Sequence, residues 1–138
     1  PNVVYETHKG TTATKSDWNL PSDFKRDYLD LFYKEINSLM LKTAKNFKCK
    51  NWRIHNAWFM QYKENDKHAW HTHPESNLSA VYYLELPKKE LVTEFKDKKV
   101  KAEEGNVLIF PSYMLHRAPI NKSNERKTVI SFNCDFYN

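Results

Sequence analysis

The sequence predicts a small, mainly β protein, a sandwich or jelly-roll barrel with one amphipathic helix in front of it. Three observations predict it. Apolar residues recur at helical spacing only in the first third of the chain. From Asn51 onward, short runs of aromatic and β-branched residues alternate with turn residues. The 138 residues are 40% hydrophobic and 14% aromatic with only two glycines, so one core rich in Phe, Tyr and Trp is expected, with turns built on Asn, Asp, Ser and Pro.

Taken in order, residues 1–20 read as an extended arm. Thr11, Thr12, Thr14 and Ser16 keep it polar, and Trp18 and Leu20 dock it. Pro21-Ser22-Asp23 is a helix start: Ser22 can cap free N–H groups and Asp23 suits the positive end of the helix dipole. Phe24, Tyr28, Leu31, Phe32, Ile36, Leu39 and Met40 then define a scaffold helix over 22–46, with Lys42, Lys45 and Lys48 toward its negative end. Strands follow at 53–62, at 78–86 before Pro87, at 91–95, and at 107–110 before Pro111. Another is expected to open at Val100, and a long last one to cover 127–136. Residues 51–137 thus form the β part of a single domain, 1–138, with the helix packed outside and no repeat or linker.

Charge and cysteine content narrow the function classes. The net charge of +5 comes from scattered lysines, which read as a solvated surface; nucleic-acid binding is a disfavoured reading. Cys49 and Cys134 form neither a CxxC pair nor a framework, so a reducing, cytoplasmic setting is expected. No apolar run is long enough to span a membrane and no signal peptide is visible, although a leader lost before Pro1 stays open.

The chemistry lies in the histidines: His8, His55, His68, His71, His73 and His116. His71 and His73 are two apart, so an extended backbone turns both imidazoles to one side, as a metal site in a β protein requires. His116 follows 43 residues later in GNVLIFPSYMLHRAP, and Arg126 and Thr128 lie beyond it at the start of the last strand. His68 reads as a loop or substrate-side histidine, and Trp58 and Trp70 as core. Strand parity counted from Arg126 and Thr128 turns Asn133 and Asp135 away from the site.

Two strings in the chain, His71-Thr72-His73-Pro74 running on to Tyr82-Tyr83-Leu84 and the stretch from Gly105 to Asn133, resemble the iron(II)/2-oxoglutarate-dependent oxygenase superfamily. They are similar to its branch of small phage and bacterial oxygenases, whose pattern is HxHPxxxxSGxYYL followed by GxLxxFPSxxxHxxxxNxxxxRxxxSFN. A phage-encoded protein is therefore one expectation. The resemblance implies a double-stranded β-helix, a cupin-like jelly roll, holding Fe(II) with 2-oxoglutarate and O₂ as cosubstrates. It implies hydroxylation of a substrate it does not name, with release of succinate and CO₂. By the same resemblance His116 is the distal ligand, Arg126 grips the far carboxylate of 2-oxoglutarate, and Thr128 and Tyr83 add hydroxyl contacts.

One departure matters. Most of the superfamily carries His-x-Asp/Glu, whereas His73 stands where the carboxylate belongs. Two ligand sets follow: His71, His73 and His116, or a set using Glu75 through the literal His73-Pro74-Glu75. Two rival functions also follow, a three-histidine cupin-type dioxygenase that uses no 2-oxoglutarate, and a non-catalytic barrel binding metal or nucleic acid.

Overall fold

A computed structural model describes residues 10–21 and 23–138. His8, the Ser22 cap and the first part of the arm lie outside the described residues.

The arm ends in a short strand, β1 (Lys15–Ser16), followed by α1 (Tyr28–Asn46), β2 (Asn51–Tyr62), β3 (His68–His71) and β4 (Leu78–Glu85). A single 3₁₀ turn at Lys89–Leu91 leads into β5 (Glu94–Phe95), then β6 (Val107–Pro111), β7 (His116–Ala118) and β8 (Lys127–Tyr137). The strands form two antiparallel sheets, a large one in the order β1-β2-β8-β4-β6 and a small one in the order β3-β7-β5. This is the mainly β, double-stranded β-helix architecture with one helix outside it.

The large sheet is built around β8, which pairs with β2 from Asn51↔Tyr137 to Tyr62↔Lys127 and with β4 from Leu78↔Cys134 to Glu85↔Thr128. Its two faces bury different cores. Ile130, Phe132 and Cys134 pack beneath Phe32, Ile36 and Met40 of α1, whose buried residues recur every four positions. The other face, with Trp58, Met60, Tyr62, Val81, Tyr83 and Val129, closes on Phe95 of the small sheet to form the barrel interior. Cys49 and Cys134 remain free thiols.

The helix begins six residues later than its sequence signals suggest. Residue Arg26 is the reason: it donates to the Asp17 carboxylate (2.8 Å) and to the carbonyls of Asp17 and Leu20, holding residues 23–27 in a turn. Asp17 is buried and also accepts from the Tyr28 hydroxyl and the Phe59 amide, both at 2.8 Å. A buried carboxylate is tolerable only when it is paired and hydrogen-bonded in this way. The arm is thereby part of the fold, with Thr11, Ala13, Ser16 and Asp17 all buried. No strand opens at Val100; residues 96–106 return to β6 through a turn at Gly105 (φ +80°), with Glu104 accepting from the Leu86 amide. No described helix is long and apolar enough to cross a membrane.

Candidate metal centre

The small sheet brings the histidines together. His71 on β3 stands opposite His116 on β7 in register, and the backbone amide of His73 donates to Ser112 (3.0 Å), which fastens the following turn beside them. One ligand atom from each of His71, His73 and His116 lies within 4.8 Å of the others. Their ring centroids are 4.2 to 5.2 Å apart. Among the described residues this is the cluster with metal-binding geometry. Glu75, the alternative carboxylate, is exposed and stands outside it.

Ring orientation follows from backbone contacts. Nδ1 of His71 faces the Ala69 carbonyl and Nδ1 of His116 faces the Met114 carbonyl, each at 2.8 Å. A carbonyl can only accept, so Nδ1 carries the proton and Nε2 keeps its lone pair for a metal. Burial, aided by neighbouring His68 and His116, pushes the His71 pKa down to about 2, and burial also lowers that of His116. Neutral imidazoles are the form that ligates, and three of them suit Fe(II), so the donor set fits the metal.

The cavity at the histidines is also lined by Met60, Phe110, Val129 and Lys127 of the barrel interior. Lys127 is 2% exposed. Its Nζ donates to the Leu91 carbonyl (2.5 Å) and lies 5.3 Å from the Tyr62 ring centroid and 6.0 Å from that of Tyr83. Burial lowers its pKa to about 7. Tyr83 is fully buried; its hydroxyl donates to Thr93 Oγ1 (2.8 Å), and it is Thr93 that lines the cavity.

Arg126 and Thr128 are not brought to the histidines. The Arg126 guanidinium is half exposed and forms a two-pronged pair with Glu85 (2.8 and 2.7 Å), and the Thr128 hydroxyl donates to the same carboxylate. Side chains of β8 alternate, and the odd positions Lys127, Val129, Ser131 and Asn133 line the cavity. The parity expected for Asn133 is therefore reversed: Asn133 is buried and accepts from Ser79 Oγ (2.9 Å), which also bonds Ser112. Sequence reading overlooked Lys127, yet a signal was there. The RxxxSFN spacing counts back from Ser131 to Lys127, while the NxxxxR spacing counts forward from Asn121 to Arg126. This chain is one residue longer between those landmarks, and a one-residue shift exchanges the faces of a strand.

Of the two tryptophans read as core, Trp58 is buried, its ring 5.8 Å from that of His73. Trp70 is exposed and stacks under Arg117 (4.6 Å), which pairs with Glu94. His68 lies beside the cluster, its ring centroid 3.9 Å from that of His71.

Comparison with known proteins agrees with this geometry. Residues 56–102 match the family model described as "putative 2OG-Fe(II) oxygenase". No curated protein matches the sequence. Among solved structures, the viral collagen prolyl hydroxylase of Paramecium bursaria Chlorella virus-1, in complex with 2-oxoglutarate, superposes with a TM-score of 0.58. It is 16% identical, with 91% of this chain and 80% of that one covered. A prolyl-4-hydroxylase from Pseudomonas putida gives a TM-score of 0.53 at 14% identity, with 80% and 64% covered. EvdMO1 gives 0.65 at 13% identity, this chain spanning 38% of it. At such identities the structural likeness speaks for the fold. The matched segment, the double-stranded β-helix and the three-histidine cluster agree with one another: residues 56–102 are similar to 2OG-Fe(II) oxygenases, a family whose cofactors are Fe(II), 2-oxoglutarate and O₂, and the cluster suits the iron.

Proposed function

We propose that the chain holds Fe(II) on His71, His73 and His116, anchors 2-oxoglutarate on Lys127, and hydroxylates a C–H bond of an organic substrate with release of succinate and CO₂. The observation that carries this reading is one cavity lined both by the three imidazoles and by a buried lysine amine. When bound, iron with the cosubstrate and O₂ supplies the oxidation; the chain supplies position, charge and dryness. The carbonyls of Ala69 and Met114 fix the two imidazoles with Nε2 toward the cavity. An α-keto acid of any length offers the same chelating end, so choice of the five-carbon diacid requires a cation at a fixed depth. Lys127 is that cation, with hydrogen-bonding capacity beyond its Leu91 contact. Met60, Phe110 and Val129 line the path between and exclude water, which strengthens the ion pair.

The test is an anaerobic titration of 2-oxoglutarate into Fe(II)-loaded protein, followed by the metal-to-ligand charge-transfer absorption, with succinate release on admitting O₂. Lys127→Ala is expected to weaken cosubstrate binding by roughly 100-fold, about 2.8 kcal/mol, with iron affinity unchanged; Arg126→Ala is expected to leave both unchanged. Wild-type protein that binds iron and never 2-oxoglutarate would favour a cupin-type dioxygenase, a reading that the carboxylate-free donor set also suits.

A further inference from the structure

Adjoining the cosubstrate cavity at His71 and His73 is a second, open chamber, about 490 Å³ counting its mouth. Trp58, Met60, His68, His71 and His73 line both spaces, so a molecule in the chamber is in contact with the metal centre. Its outer parts are Trp18, Thr72 and Glu75. Trp18 is a lip of fixed position. Its amide donates to Ser16 Oγ, the preceding Asp17 is locked to Phe59, and its ring meets Trp58 edge-on with centroids 4.3 Å apart. It is nevertheless 39% exposed, which leaves ring surface open to a ligand.

The charge of this chamber runs against that of the chain. The net charge is +5, yet among the described residues no lysine or arginine lines the chamber and Glu75 is the carboxylate that does. No hydrogen bond or ion pair joins Glu75 to any described residue. The outer groove across β3 and β7 differs, because it mixes both signs: Lys67, Lys88, Arg117 and Lys122 stand beside Glu64, Glu90 and Glu94. Lys127 serves the far carboxylate of 2-oxoglutarate, and no described cation contacts Glu75. Aromatic faces with an unpaired carboxylate are the chemistry that recognises an organic cation.

We infer that this chamber is the primary-substrate site and that it takes an aliphatic ammonium group, as on a lysyl side chain, with Trp18 and Trp58 against its alkyl stem and charge and Glu75 as counter-ion. The inference rests on the oxygenase reading and supplies its substrate class. An ammonium held at Glu75 directs the adjoining methylene chain toward His71 and His73, where a C–H bond would be oxidised.

The probes are lysine blocked at both ends as N-acetyl methylamide, its Nε-trimethyl derivative, and the equally blocked norleucine and glutamate. Binding is read by tryptophan fluorescence and calorimetry on Zn(II)-loaded protein, so it depends on neither turnover nor 2-oxoglutarate. Blocked lysine or its trimethyl form is expected to bind at least roughly tenfold more tightly than blocked norleucine. Glu75→Gln should abolish that preference and Trp18→Ala should weaken both cations, each variant keeping wild-type zinc affinity. The two cationic probes separate a primary from a methylated ammonium. Norleucine or glutamate binding as tightly as the cations would overturn the inference, as would a Glu75→Gln protein that keeps the preference. Loss of zinc from Glu75→Gln would overturn it too, because it would make Glu75 a metal ligand. Failure of 2-oxoglutarate to bind would strike the oxygenase reading alone.

Discussion

Arg126 and Lys127 are consecutive residues at the start of β8, and they point to opposite faces of the large sheet. The guanidinium pairs with Glu85 outside, while the ammonium donates to the Leu91 carbonyl inside the barrel. Two cations one peptide apart thus have unrelated surroundings, and their variants should separate cleanly.

Arg126→Ala removes an ion pair in which half of the guanidinium side chain is exposed. Pairs screened by water and salt contribute little. Thermal denaturation of this variant should give an unchanged midpoint, and its 2-oxoglutarate affinity should match wild type. A large loss of affinity would return the cosubstrate role to Arg126.

The pKa of about 7 at Lys127, lowered by burial, gives a signed pH dependence. Cosubstrate binding needs the protonated amine, so affinity should fall as pH rises above about 7, by at most tenfold per pH unit. Lys127→Arg stays protonated and should show a flat profile across the same range. The metal-free protein should behave oppositely. The folded pKa lies below the unfolded one, so the unfolded chain binds more protons between about pH 7 and the ordinary lysine pKa. Stability should therefore rise across that window and be lost as pH falls back through about 7. Denaturant melts of wild type and Lys127→Met check this, the variant losing the slope.

Metal removal should also register as stability. An ion bound only by the folded state contributes about 2.7 kcal/mol at a hundredfold excess over its dissociation constant. EDTA should lower the melting temperature of metal-loaded wild type. His71→Ala, His73→Ala and His116→Ala should each melt at one temperature with or without metal, whereas Glu75→Gln should keep the wild-type difference.

Ile36 is 2% exposed between α1 and the outer face of the large sheet. Ile36→Ala should cost about 2–5 kcal/mol in urea denaturation, while the folded fraction binds metal at wild-type stoichiometry. A loss of stoichiometry would mean that the helix shapes the site as well as supporting it.

The sequence by itself determined what local spacing can determine. A helix carrying Phe32, Ile36 and Met40 on one face, and long alternating strands at β2, β4 and β8, are legible because their periods are fixed by backbone geometry. The nearness of His71 to His73 is legible for the same reason. Strands β3 and β7, four and three residues long, carry no period of their own and exist through pairing with each other, which is also what carries His116 to His71. The start of α1 was set by Arg26 reaching back to Asp17, a contact no capping pattern encodes. Above all, alternation says that Arg126 and Lys127 face opposite ways and never which of them faces in. Only the tertiary structure decided that: Glu85 holds one cation outside, and the Leu91 carbonyl with the Tyr62 and Tyr83 rings receives the other where water is scarce.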